Sequence, residues 1–275
     1  MNLTLGYSPC PNDTFIFYAL THGRLELPGI TVTESLEDVE SLNLRAMRSE
    51  LDLTKVSFHA AAYLREKYCL LRSGGALGRG CGPLVVTKEK IGMDALRGRT
   101  IAVPGRYTTA HLLLMLYGEG YDRVAIMPFD RIMDAVLRGE VGAGLVIHEG
   151  RFTYEARGLH KALDLGEWWE ADTGMPIPLG GILARRALGA DVIGMMESKI
   201  SESIQYAYSH REEARAYIKS HAQEMEDDVI DGHIALYVND FSLDLGDEGI
   251  EAVEYLFERA MSRGIIPGSH TPLFL

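Results

Sequence analysis

His148 and Glu149 follow Val141-Gly-Ala-Gly-Leu-Val-Ile147, a run of small and aliphatic residues that reads as a buried strand. In open α/β sheets, ligands collect at the carboxyl ends of strands. An imidazole exchanges a proton near neutral pH, so general-base chemistry is the expectation for His148. The alternative is a histidine that only bonds a backbone carbonyl. Lys55 and Ser57 close a second strand pattern, Leu51–Ser57, and Thr108 and Thr109 end a turn that opens an apolar helix. Hydroxyls and unpaired N–H groups at such points hold carboxylates or sugar hydroxyls, or simply cap the helix. Ser8, Asn12 and Asp13 carry the same two readings. They lie in Ser8-Pro-Cys-Pro-Asn-Asp13, whose two prolines stiffen the backbone. A helix is expected from Thr14, capped by Asn12 or Asp13.

Other chemistries find no footing. Cys10, Cys69 and Cys81 show no CxxC spacing, so neither a disulfide framework nor a zinc site is indicated, and Cys10 reads as a small buried filler. The remaining histidines, His233 among them, show no metal-ligand spacing and read as packing or surface residues. Glycines between Gly74 and Gly82 fit neither GxGxxG nor GxxxxGK[ST], and read as a loop or hinge with φ > 0. Serine-hydrolase and zinc-protease signatures are absent. Lys and Arg number 27 against 39 Asp and Glu, a formal charge of −12, which argues against nucleic acid as a partner. A small anion held by a few local donors is compatible with that charge. The N-terminus lacks a secretory pattern, and no apolar stretch approaches bilayer length. The expectation is a cytoplasmic protein without membrane insertion.

Strand and helix patterns alternate to position these residues. Leu3–Tyr7 is a strand and Thr14 to Leu20 a helix closed by His22-Gly23; Ile30–Glu34 is a strand, followed by a helix capped by Asp38. Tyr68–Arg72 and Pro83–Thr87 are further strands. The pattern restarts at Thr100–Pro104, then a helix from Ala110 to Tyr117, a strand at Arg123–Met127, and a helix from Ile132 capped by Asp130. Ile177–Leu183 returns as a strand. Helices are expected over Ile193–Arg215, Glu224–Tyr237 and Gly249–Arg263. Two βα sets, one inserted in the other, describe an α/β chain in two hinged lobes, 1–88 with 184–275 and an inserted 89–183, with a ligand cleft between them. The apolar C-terminal third and the tail 265–275 could cover the protein's own lobe or a second copy in a homodimer.

Ser8-Pro-Cys-Pro-Asn-Asp-Thr-Phe-Ile-Phe17, Lys55-Val-Ser57, Gly78-x-Gly-x-Gly-Pro83, Thr108-Thr-Ala110 and Ile147-His-Glu-Gly-Arg-Phe-Thr-Tyr154 resemble the 1,4-dihydroxy-6-naphthoate synthase family. The resemblance runs nearly the whole length. It implies the two-lobed fold of type II periplasmic binding proteins and a lyase of the futalosine branch of menaquinone synthesis. The substrate would be cyclic dehypoxanthine futalosine and the product 1,4-dihydroxy-6-naphthoate, a reaction for which no redox cofactor or metal is expected. By the same resemblance, His148 is the proposed base, and Lys55, Val56 and Ser57 with Thr109 and Ala110 contact the substrate. A non-catalytic small-anion binding protein and the related chorismate dehydratase are the alternatives.

Overall fold

The structure, a computed structural model, describes residues 1–222 and 226–275. β1 (Asn2–Tyr7) leads into α1 (Pro11–Thr21), then β2 (Thr31–Leu36), α2 (Val39–Met47), β3 (Leu53–Ser57) and the short α3 (Phe58–Ala61). β4 (Tyr68–Leu70) and β5 (Ala76–Gly78) follow, and β6 (Leu84–Thr87) enters a second sheet. That sheet continues with β7 (Ile101–Val103), α4 (Thr109–Tyr117), β8 (Val124–Ile126), α5 (Phe129–Leu137), β9 (Ala143–Val146), α6 (Gly150–Thr153) and β10 (His160–Asp164). α7 (Leu165–Thr173) leads back to β11 (Ile177–Arg185). α8 (Ala190–Ser209), α9 (Arg211–His221), α10 (Asp227–Tyr237), α11 (Asp240–Leu243) and α12 (Gly246–Ser262) complete the chain.

The first sheet has the order β2-β1-β3-β11-β4, with β5 also on β11; the second has the order β10-β6-β9-β7-β8. β1 runs parallel to β2 and β3, while β11 is antiparallel to β3, β4 and β5. The chain therefore passes between sheets at 79–83 and again at 165–176. The sequence had placed these passages at 88/89 and 183/184. Pairing moves them, because Leu84–Val86 bonds to β9 and Ile177–Gly180 already bonds to β5.

Local chemistry explains the element ends, and corrects several expectations. α1 starts at Pro11, not Thr14. Proline suits the first helical position because its missing N–H would have no partner there. Asn12 and Asp13 thus lie inside the first turn and do not cap it. Asp38 does cap α2, accepting from the N–H groups of Glu40 (3.0 Å) and Ser41 (3.1 Å). Asp130 sits in the first turn of α5 behind Pro128, rather than at its cap. The helix expected over Ile193–Arg215 breaks at His210, whose φ of −131° and ψ of 45° are not helical. Residues 224 and 225, the start of the next expected helix, lie outside the described residues; α10 runs from Asp227.

Behind the first sheet, α1 packs on α8, α9 and α10 around Leu5, Phe17, Met196 and Ile204. On its other face, Phe58 meets Phe257 of α12. The C-terminal tail lies on its own lobe, where Leu70 N donates to Leu273 O at 2.8 Å. Among the described residues, no helix is long and apolar enough to cross a membrane.

At the first passage, Gly82 faces Gly166 of α7. A Cβ on Gly82 would stand 2.2 Å from the Gly166 nitrogen, and that obstacle is backbone. Gly82→Ala is expected to cost about 2–3 kcal/mol or more by overpacking, measured as a lowered urea midpoint at unchanged slope.

Candidate functional site

Four strand ends meet in a cleft between the sheets: β1 delivers Ser8, β3 delivers Ser57, β7 leads to Thr108, and β9 leads to His148. The cleft encloses about 660 Å³ of space between its walls, part of it open to solvent. Every residue singled out in the sequence lines it: Ser8, Asn12, Asp13, Lys55, Val56, Ser57, Thr108, Thr109, Ala110 and His148. Val39, Ala76, Cys81, Pro83, Ile147, Leu179, Gly180 and Tyr237 complete the wall. Sequence reasoning missed these eight, since most reach the cleft through packing that no local pattern records. The wall combines apolar side chains with a charged pair and several hydroxyl and amide groups.

Asp13 and Lys55 form the charged floor. Lys55 Nζ lies 3.2 Å from Asp13 Oδ1 and donates to Gly74 O at 3.0 Å. Asp13 also accepts from Ser8 N (3.1 Å), Ser8 Oγ (2.9 Å) and Asn12 Nδ2 (2.8 Å). Lys55 is only 6% exposed, unusual for a lysine at a strand end. Strand β3 is buried along its whole length, so its side chain has no outward face to take.

The two threonines divide their roles. Thr108 caps α4, accepting from His111 N at 3.3 Å and donating to Gly105 O at 2.9 Å. Thr109 Oγ1 donates to Leu179 O at 2.6 Å, tying α4 to β11. Both hydroxyl protons are therefore committed. What α4 offers an anion is its first-turn backbone, the N–H groups of Thr109 and Ala110. The loop before it docks on the other lobe: Tyr107 N donates to both Glu40 carboxylate oxygens, at 3.1 and 3.2 Å. Asn43 joins the two sides, donating to Tyr107 O (3.3 Å) and accepting from Ser57 N (3.0 Å).

His148 lies two residues beyond β9, in a turn with φ of +54°. That left-handed backbone is uncommon outside glycine and occurs at functional sites. Its ring stands edge-on to Phe129 at 5.3 Å. Burial pushes its pKa down to about 4, with Lys55 helping and Asp13 opposing, so the imidazole is neutral at pH 7. The Arg151–Gly174 stretch, unassigned in sequence, braces this wall. Arg151 donates to Gly82 O and to buried Asp164, both at 2.6 Å, and Asp164 caps α7.

Cys10 is buried behind the loop, and burial with nearby Glu149 holds its thiol far from ionisation. Among the described residues, Cys10, His148 and Glu149 are the one group whose donor atoms could take a metal, lying within 4.8 Å of one another. The grouping joins two distant loops, so spacing in the sequence could not reveal it. A metal would require the thiolate, which this setting opposes.

The family model described as "Menaquinone biosynthesis" matches residues 3–262. The chain is 54% identical over 273 residues to a 1,4-dihydroxy-6-naphtoate synthase of Thermus thermophilus, covering 99% of each chain. It is 49% identical to the protein of the same name from Streptomyces coelicolor, covering 96% of this chain and 95% of that one. A crystal structure of an Archaeoglobus fulgidus protein superposes with a TM-score of 0.91 at 39% identity, over 96% of this chain and 98% of that one. The alkanesulfonate-binding protein SsuA of Xanthomonas axonopodis pv. citri shares the fold, with a TM-score of 0.74 at 14% identity over 97% and 94%. These likenesses place the chain among periplasmic-binding-protein-like folds.

Two histidines with lowered pKa values link the site to stability. His59 and His148 have pKa values lowered to about 4 from an ordinary 6.5, chiefly by burial. Below pH 6.5 the unfolded chain takes up protons that the folded protein refuses until about pH 4. Stability is therefore complete above pH 6.5 and falls as the pH drops towards 4. Thermal melts across that window should show a steady fall in Tm, with a shallower slope in His59→Gln.

Proposed function

This chain belongs to the menaquinone biosynthesis family, and from that premise we propose that it is a 1,4-dihydroxy-6-naphthoate synthase. It would be a lyase that forms the naphthoate from cyclic dehypoxanthine futalosine in the futalosine pathway. The observation that carries the reading is the 54% identity over 99% of both chains to a synthase of that name. The cleft supplies a matching chemistry.

In this reading, neutral His148 takes a proton from the bound substrate. The resulting electron pair drives an elimination that breaks the bond to the sugar-derived part. Aromatisation of the second ring draws the reaction forward, and the remainder leaves as a small carbonyl fragment. The Lys55 ammonium and the first N–H groups of α4 hold the substrate carboxylate, with Ser57 beside them. Val56 and Ala110 pack against the rings, while Ser8, Asn12 and Asp13 keep Lys55 in place. The Glu40–Tyr107 and Thr109–Leu179 contacts would close the lobes and exclude water from the carbanion-like intermediate. We place this activity in the cytoplasm, with no metal or cofactor taking part. A homodimer would be visible by light scattering.

His148→Asn tests the base. Asparagine tolerates the left-handed backbone, so the fold and ligand binding should persist. The rate should fall by about 10²–10⁴, the usual contribution of a positioned base. Mass spectrometry should find naphthoate with the wild type. Near-normal turnover in the variant would remove His148 from the role. Ligand bound by the wild type and returned intact would favour a binding protein, and turnover of chorismate would favour the dehydratase. For the wild type, kcat/KM should stay level through neutral pH and drop as the pH falls through about 4, where His148 takes its proton.

A further inference from the structure

His233 stands on α10, fully buried, and does not reach the cleft. Its neighbours do. Its Nε2 lies 2.9 Å from Asn12 Oδ1, its ring packs on Tyr237 at 4.6 Å, and it lies nearly parallel to His148 at 6.3 Å. The hydrogen-bond chain beyond it has a fixed direction. Asp13 is an acceptor, so Asn12 must turn its NH₂ towards Asp13 Oδ1, 2.8 Å away. That leaves the Asn12 carbonyl oxygen facing His233, which must answer with an Nε2–H. The Nδ1 atom then carries a bare lone pair, and it has no hydrogen-bond partner among the described residues. Burial holds the ring well below the ordinary histidine pKa, so it stays neutral.

A buried acceptor left unpaired is costly, and an apolar side chain would fill the same space without that cost. The polar bond the imidazole does make is through its Nε2–H, and that bond ends on a cleft residue.

We propose that His233 is a positioning residue of this site. Its Nε2–H locks the Asn12 amide, and Asn12 in turn holds Asp13 Oδ1 against the Lys55 ammonium. Without the donor, the Asn12 oxygen loses its partner and the amide is anchored on one side only. It can then shift off Asp13 Oδ1, and the Asp13–Lys55 pair would lose its alignment. Lys55 meets the anionic substrate in the ground state and the transition state alike, so the loss should appear in binding more than in kcat. The proposal rests on the synthase reading for its substrate, but the arrangement can be tested without turnover.

The discriminating pair is His233→Gln and His233→Asn. The glutamine NH₂ reaches the place of Nε2, whereas the asparagine NH₂ reaches only that of Nδ1. Four quantities are compared with the wild type: kcat and KM for cyclic dehypoxanthine futalosine, Kd for 1,4-dihydroxy-6-naphthoate, and Tm. In His233→Asn, KM and Kd should rise about tenfold, the scale of one hydrogen bond, with kcat changed less than about threefold. His233→Gln should recover both constants to within about threefold of the wild type. Equal behaviour of the two variants would overturn the proposal, as would losses that track Tm alone. Wild-type turnover reports separately on the synthase reading, and the ratio of naphthoate Kd values judges His233 without it.

Discussion

The Asp13 carboxylate is 2% exposed, and a charge so deep is tolerated only when its oxygens are fully met. Four donors meet it: the Ser8 N–H, the Ser8 hydroxyl, the Asn12 amide and the Lys55 ammonium. Each fixes a different part of the cleft. Ser8 sets the path of the chain leaving β1, Asn12 ties α1 to α10, and Lys55 ties β3 to α1. Removing any one partner would leave the others holding a charge without its full complement. The β1–α1 loop is stiff because this carboxylate demands it, with the flanking prolines limiting the alternatives.

The second lobe is fitted to that floor by a small set of polar contacts. Gly105 lies so near Glu40 that a Cβ would stand 2.4 Å from its carboxylate carbon. The loop can therefore approach closely enough for Glu40 to accept the Tyr107 N–H, and Thr108 can then cap α4 with its first turn open to the cleft. Thr109 closes the other side by donating to the carbonyl of Leu179. Docking the lobes and aiming the α4 N-terminus are thus one event. A hinge opening would withdraw the backbone donors from the anion as it admitted solvent.

Much of this was legible because it is local. Strand ends, a capping threonine, a proline-bounded loop and a histidine after a glycine-rich strand all write themselves into a few consecutive residues. Ser57, Thr108 and His148 could be placed at one edge on those grounds. The resemblance, and not periodicity, supplied the name of the fold and the pairing of Val56 and Ala110 with a substrate. Tertiary packing decided the rest. Asp13 read as a helix cap, but its oxygens turn back to Ser8 and across to Lys55. The helical period runs unbroken through His210, yet the backbone bends there so that α9 can return to α1. His233 and Tyr237 sit four apart on a helix with ordinary composition. Only the packing of α10 against the β1–α1 loop gives them meaning.

A base with a pKa near 4 would be a weak one if the cleft kept that electrostatic balance throughout the reaction. It need not. Burial is the main cause of the depression, the Lys55 charge adds to it, and the Asp13 charge opposes it. An anionic substrate held by Lys55 and α4, as proposed, would bring a negative charge into the same low-dielectric space. It would offset the ammonium and favour the imidazolium that proton abstraction would create. The free protein thus keeps His148 unprotonated, and on the proposed reading the ligand itself would raise its basicity on arrival. Recognition of the anion and activation of the proposed base would then be the same electrostatic act, and a neutral ligand of similar shape would bind without arming His148.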